Sequence, residues 1–106
     1  MRPIKKDKFF RDRESTYTIL AIGCAKCGKE ILLYQKDGRG NLKRLYINRI
    51  LSPESLASLQ DTIKSAKEME ALKCKCGQLI GLPMLHREGR IAFKLIQGNY
   101  SKRRYK

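Results

Sequence analysis

Acidic residues, histidine and long apolar runs are scarce in this sequence. Its 106 residues hold 10 Asp and Glu against 24 Lys and Arg, which gives a formal net charge of +14 at pH 7. No apolar run approaches the length of a membrane-spanning helix, so we expect no membrane association. The first 13 residues are charged throughout and lack the apolar stretch of a signal peptide. We therefore predict a cytoplasmic protein whose thiols stay reduced.

The sequence also lacks the residue patterns of a catalytic centre. His86 is the only histidine, and a lone histidine beside a turn is more often a surface residue than a base or a ligand. No nucleophile stands in a pattern that pairs it with a base, and no phosphate loop of the G-x4-G-K-[ST] type occurs. We therefore expect that this protein is not an enzyme.

Four cysteines are present, and they come as two pairs. Cys24 and Cys27 lie in CAKCG, Cys74 and Cys76 lie in CKCG, and a glycine follows each pair. One tetrahedral ion needs four soft ligands, and two short pairs from distant parts of a chain supply them. The glycine lets the backbone turn so that its amides face the thiolates. The pattern predicts one structural Zn2+ bound by all four cysteines.

Three other interpretations of the cysteines remain open. A disulfide framework needs an oxidising compartment, which the charged N-terminal segment does not favour. A redox role for the first pair would leave Cys74 and Cys76 without a function. Iron fits the same ligand set, although zinc is the usual occupant of a closed four-thiolate site. The single residue between Cys74 and Cys76 is also a shorter spacer than the usual two.

The apolar pattern predicts a single α+β domain with a small antiparallel sheet and one helix between the two cysteine pairs. Strands are expected at residues 16–22, 29–35 and 42–50, and a final strand through residues 91–95 after a Glu88-Gly89 turn. A helix is expected from Ser52 to about residue 70, because Pro53 and Glu54 suit a first turn and apolar residues follow at spacings of three and four. Pro83 indicates an edge strand or irregular stretch at residues 78–85. The predicted domain spans residues 14–98, with a basic tail at 99–106 and a basic arm at 1–13 that is flexible or only partly tied down.

The two cysteine motifs, CAKCG and CKCG, resemble the two halves of the zinc-ribbon or rubredoxin-like fold group. Each motif leads into an apolar strand, KEILLY after the first and QLIGL after the second. The resemblance covers about half of the chain and implies two cysteine-bearing turns that hold one ion beside a small antiparallel sheet. The C-x-C-G turn is also similar to that of larger, tent-shaped zinc folds, which imply an alternative architecture. Neither resemblance implies a particular function.

The basic residues favour a polyanionic partner, and we expect nucleic acid, with RNA preferred over DNA. Tyr34, Tyr46 and Tyr100 are candidates for stacking on unpaired bases, although core packing is the alternative for Tyr34. An assembly role with an acidic partner protein is the alternative function. The basic residues expected to form the nucleic-acid face are Arg39, Lys43, Arg44, Arg49, Lys102, Arg103, Arg104 and Lys106.

Overall fold

The computed structural model describes residues 1–105 and contains two four-stranded antiparallel sheets. The strands are β1 (Tyr17–Cys24), β2 (Glu30–Asp37), β3 (Arg44–Tyr46), β4 (Ile50–Ser52), β5 (Leu72–Lys73), β6 (Leu79–Leu85), β7 (Ile91–Leu95) and β8 (Tyr100–Arg104). The first sheet has the order β4-β2-β1-β8, and the second has the order β3-β7-β6-β5. The fold is therefore α+β with antiparallel sheets, as predicted, but it has two sheets where the sequence indicated one.

The main core is built from side chains of both sheets. Alternation along β1 buries Leu20 and Ile22 on one face, where they cluster with Leu45 and Phe93 of the second sheet. Ile22 and Leu45 are fully buried. The opposite face of the first sheet carries a smaller cluster built around Ala21. The β-branched and leucine-rich runs of the sequence thus form a buried layer that joins the sheets.

The N-terminal arm, residues 1–13, was expected to be flexible or only partly tied down, and in the structure it packs along the first sheet. The Arg2 amide donates a hydrogen bond to the Leu51 carbonyl at 2.8 Å. A short helix, α1 (Lys8–Asp12), follows, and the Asp7 side chain caps it by accepting from the Phe10 amide. The Phe10 side chain is buried. These contacts fix the arm against the domain.

The predicted strand at residues 42–50 is divided between the two sheets. Arg44–Tyr46 pairs with β7, whereas Ile50–Ser52 pairs with β2. A 3-10 turn at Ile47–Arg49 carries the chain across, with Ile47 buried in the core. Alternation identified the buried face of this segment, but it contains no information about which strand each half pairs with.

The predicted long helix is also wrong. The segment forms two four-residue helices, α2 (Glu54–Ala57) and α3 (Leu59–Thr62), and a later 3-10 turn at Ala66–Glu68. The backbone is already extended at Ile63, and a capping box between Ser65 and Glu68 starts the next turn. The apolar residues still pack on the core, although not as one helix. No helix in residues 1–105 is long and apolar enough to cross a membrane.

The C-terminal segment continues the first sheet instead of forming a tail. Strand β8 pairs with β1 from Cys24 opposite Tyr100 to Leu20 opposite Arg104. In the second sheet, β6 lies between β7 and β5. Strand β5 reaches only the first part of β6, so Pro83 is paired with β7 alone. The hydrogen bonds of Ile80 and His86 show that even-numbered residues bond to β7, so the Pro83 nitrogen points to the unpaired side and leaves no gap in a ladder.

Candidate metal centre and basic groove

Each cysteine pair forms the turn of a β-hairpin. In the first knuckle, residues 24–28 between β1 and β2, the Cys24 amide donates to the Lys29 carbonyl and the Gly28 amide donates to the Cys24 carbonyl, both at 2.9 Å. The second knuckle, residues 74–77 between β5 and β6, repeats these bonds one residue shorter, with Gly77 donating to Cys74 at 2.9 Å. Gly28 and Gly77 have φ of +79° and +97°, which favours glycine. The short C-x-C spacer is therefore a contracted form of the same turn.

The four thiols converge between the two sheets. The Sγ atoms of Cys24 and Cys76 lie 3.6 Å apart, and those of Cys27 and Cys74 lie 3.5 Å apart. All four Sγ atoms lie within 4.8 Å of one another. Tetrahedral coordination with metal–sulfur bonds of about 2.3 Å places the sulfurs ~3.8 Å apart, whereas a disulfide needs about 2.05 Å. The geometry fits one metal ion shared by both knuckles.

The surroundings of Cys24 favour the deprotonated ligand form of its thiol. Amide hydrogen bonds, first from Cys27 and then from Lys26, lower the pKa of the Cys24 thiol to about 7, against the opposing effect of burial. Cys24 and Cys74 are buried, whereas Cys27 and Cys76 are exposed. An ion bound here would be closed off on one side by the core and would join the first sheet to the second.

Asn99 supports both knuckles from the segment before β8. Its carbonyl accepts a hydrogen bond from the Ala25 amide at 3.0 Å. Its side-chain amide donates to the Leu79 carbonyl at 2.8 Å, at the start of the strand that follows the second knuckle. One asparagine thus links the first cysteine turn to the strand that follows the second.

The structure brings Arg39, Lys43 and Arg44 together at one cleft of about 340 Å³. The sequence analysis missed three further basic residues that line the same cleft, and they come from the N-terminal arm, β2 and the residue before β7. No local pattern marks these residues, because only the packing of the arm and the second sheet places them there. They are Arg13, Lys36 and Arg90.

A second cleft of about 360 Å³ adjoins the first, since Asn41, Leu42 and Lys43 line both. Lys102 and Tyr100 line its far end. We call the two clefts together the basic groove. Among residues 1–105, the six unburied basic residues of the first cleft and Lys102 form no salt bridge with a carboxylate.

Arg49 was expected on the nucleic-acid face, and this prediction is wrong. Its side chain is 1 % exposed and pairs with Asp7 at 2.6 Å and Asp37 at 2.8 Å. Burial alone would lower the pKa of Arg49, but its hydrogen bonds to the two carboxylates raise it overall. The guanidinium holds the pKa of Asp7 down at about 2. Arg49 therefore fastens the N-terminal arm to β2 and has no charge to offer a ligand.

Three of the remaining residues predicted to contact nucleic acid lie on β8, where they are divided between its two faces. Lys102 and Arg104 alternate with Arg103, so Arg103 projects from the other face of the strand. There it lies 3.4 Å from Glu30. Arg104 is exposed on the Lys102 side but lines neither cleft. Lys106 lies outside the described residues.

The tyrosines proposed for base stacking are occupied by protein contacts. Tyr34 is 2 % exposed, and its hydroxyl accepts a hydrogen bond from the Tyr46 amide at 2.9 Å. The Tyr46 ring lies 3.6 Å from the Arg90 guanidinium carbon and 5.7 Å from the His86 ring. The Tyr100 hydroxyl donates to the Leu42 carbonyl at 3.3 Å. Partial burial and neighbouring arginines lower the pKa of His86, which is not a member of the four-cysteine cluster.

The comparisons with known proteins leave the family of this chain open. No protein-family model, no curated protein and no solved structure matches it. The features of the chain that bear on its function are the four-cysteine cluster, which can hold one metal ion, and the basic groove.

Proposed function

We propose that this protein is a non-catalytic zinc protein that binds RNA through the basic groove. Zinc is favoured over iron because four thiolates leave no open position, and zinc is the usual ion of such closed sites. The ion would connect a hairpin of the first sheet to a hairpin of the second sheet and so hold the two sheets together. Its contribution would be structural, with the free energy of metal binding stabilising the fold.

The observation that carries the RNA proposal is the concentration of unpaired cations in the groove. Seven basic residues and one acid line the first cleft, and that acid, Asp37, already pairs with Arg49. A concave surface lined by one sign of charge concentrates the opposing ion and steers its approach. The phosphates of a nucleic acid are the polyanion that fits such a surface best.

RNA is favoured over duplex DNA by the shape of the elements that surround the groove. The major groove of B-DNA is read by an α-helix or a two-stranded ribbon that projects from the protein. The longest α-helix within residues 1–105 has five residues. Clefts of 340–360 Å³ are concave and suit a flexible single strand better than a duplex.

The test is the binding of a single-stranded RNA at several salt concentrations, with a variant that reverses three groove charges. We expect the wild-type affinity to fall steeply with salt, because counterions are released from the strand. Arg39→Glu, Lys43→Glu and Arg44→Glu in one chain should weaken binding by at least about tenfold and reduce the salt slope by ~2, since each phosphate contact contributes about 0.7 for single strands.

A control variant with Lys64, Lys67 and Lys73 changed to Glu has the same net charge, and none of these residues lines either cleft. We expect the control to lose only the small, general effect of net charge. Equal losses in the two variants would show that no particular face binds RNA. Zinc-loaded protein that binds no RNA would instead favour an acidic partner protein.

A further inference from the structure

The basic groove has an end wall at its first cleft. The Arg90 guanidinium lies between two aromatic rings, with its Cζ 4.0 Å from the Phe9 centroid and 3.6 Å from the Tyr46 centroid. Its Nη2 donates to Asn48 at 3.4 Å. Stacking on both faces fixes the orientation of the guanidinium plane. The stack of Phe9, Arg90 and Tyr46 separates the first cleft from a smaller neighbouring cavity.

The cavity on the other side of the stack is smaller, about 200 Å³, and carries both signs of charge. Asp12 and Glu88 line it together with Arg87, and Glu88 pairs with Lys8 at 3.4 Å. A strand that follows the basic groove would therefore meet a steric barrier at the stack. In the opposite direction, the groove continues past Lys43 to Lys102. The groove therefore has one closed end and one open end.

The cations at the closed end come from different elements and surround the first cleft. They do not form a row along one face. Arg13 ends the N-terminal arm, Lys36 lies on β2, Arg44 lies on β3, and Arg90 precedes β7. A row of cations along one face can bind the single phosphodiesters of a strand one after another. A group with several charged oxygens in one place is bound better by cations that approach it from several directions. The Tyr46 ring is already in contact with Arg90. This end is consequently better suited to phosphate than to a base.

From this arrangement we infer that the closed end of the groove binds the terminal phosphate of an RNA strand, while the rest of the groove follows the strand toward Lys102. This inference rests on the proposed RNA-binding function. A terminal phosphomonoester carries close to two negative charges at neutral pH and offers three acceptor oxygens, compared with one charge on an internal phosphodiester. Arginine binds such a group in a bidentate manner.

The experiment compares short single-stranded RNAs of one sequence that differ only at their ends. One carries a 5′-phosphate, one carries a 3′-phosphate, and one carries hydroxyls at both ends. A hydroxyl-ended strand that is one nucleotide longer serves as a control for total phosphate number. We expect one of the two phosphorylated strands to bind about tenfold more tightly than both hydroxyl-ended strands.

Two variants locate the effect within the groove. Arg13→Gln combined with Arg44→Gln should abolish the preference for the phosphorylated end, because both side chains line the closed end. Lys102→Gln, at the open end, should weaken binding of phosphorylated and hydroxyl-ended strands by the same factor and leave their ratio unchanged. Arg13 and Lys102 are exposed, and Arg44 is half-buried with one side-chain hydrogen bond, to the Tyr46 hydroxyl at 3.5 Å. None of the three side chains belongs to the buried core, and the melting temperature of each variant checks that the fold is retained.

The outcomes separate this inference from the function on which it rests. RNA binding in which neither terminal phosphate changes affinity by more than about twofold would overturn the inference and leave the proposed function intact. A loss of preference in Lys102→Gln, but not in Arg13→Gln with Arg44→Gln, would place the terminus at the wrong end and also overturn it. A free nucleoside monophosphate that binds as tightly as the phosphorylated strand would identify a nucleotide as the ligand instead. Failure of all four strands to bind would refute the proposed function and the inference together.

Discussion

Replacing Arg49 with methionine tests whether this residue stabilises the fold or contacts RNA. The sequence pattern favours a surface role, whereas the structure buries the side chain between Asp7 and Asp37. Methionine has a similar length and no charge, so Arg49→Met removes the ion pairs without leaving a large cavity. The two carboxylates would lose their cation.

The expected cost is about 3 kcal/mol in the free energy of unfolding, most of it from Asp37. Its side chain is only 9 % exposed, and removing one partner of a buried pair costs roughly 3–5 kcal/mol. The Gln35 side chain still donates to Asp37 at 2.8 Å, which places the cost at the lower end. Asp7 contributes less because 39 % of its side chain is exposed and water screens its charge. For a domain of this size, about 3 kcal/mol lowers the melting temperature by ~15 °C.

The effect of pH follows from the depressed pKa of Asp7. Its folded pKa is about 2, below the value of ~3.9 in unfolded chains, so its pairing stabilises the protein above about pH 4. That contribution, about 1 kcal/mol after allowance for solvent screening, is lost as the pH falls from 4 to 2. We expect the loss of stability over this pH range to be shallower in Arg49→Met than in the wild-type protein.

The assay is thermal and denaturant unfolding of both proteins from pH 2 to 7, with RNA binding measured in parallel. Arg103→Met is the matched control, because the Arg103 side chain is 72 % exposed and its partner Glu30 is 48 % exposed. We expect the control to change stability by less than about 0.5 kcal/mol. A fully stable Arg49→Met protein that had lost RNA affinity would refute the buried role and restore the surface role.

Further predictions concern the metal centre. Cys24→Ser or Cys76→Ser should abolish stoichiometric metal binding, as measured by elemental analysis. Either change should also lower the free energy of unfolding by several kcal/mol, since metal binding and folding are coupled. Wild-type melting behaviour in either variant would contradict a structural metal. Gly77→Ala should destabilise the metal-loaded protein by about 1 kcal/mol, because residue 77 has a φ of +97°. The cost would come from the backbone alone, since nothing lies within 4 Å of the added Cβ. An unchanged melting temperature would show that the turn can adjust.

The metal centre was the part of the molecule most accessible to sequence analysis. Coordination chemistry limits which residues can serve, and the knuckle is a local turn whose glycine and hydrogen bonds are specified within a few residues. The prediction grouped Cys24, Cys27, Cys74 and Cys76, and the structure brings all four thiols together. Even the shorter second spacer is explained by local hydrogen bonds.

The basic groove was only partly accessible, because its residues share no local pattern. Arg39, Lys43 and Arg44 lie close together in sequence, within residues 38–53, which contain no acid, so the sequence alone could group them. Arg90 and Arg13 reach the same cleft only through the packing of the second sheet and the N-terminal arm. Charge counting treats every arginine alike, and it therefore cannot separate a free guanidinium from one that two carboxylates neutralise.

The sequence by itself determined the strand faces, the turns and the grouping of the four cysteines, since each depends on alternation, backbone conformation or coordination chemistry over a few residues. The tertiary structure alone decided that residues 42–50 divide between two sheets, that Tyr100–Arg104 forms an edge strand, and that the helical segment breaks after Thr62. Pairing and burial depend on contacts between residues distant in sequence, and many alternative partners satisfy the same local pattern. Arg49 shows the consequence most clearly, because its environment depends on Asp7, which lies 42 residues away.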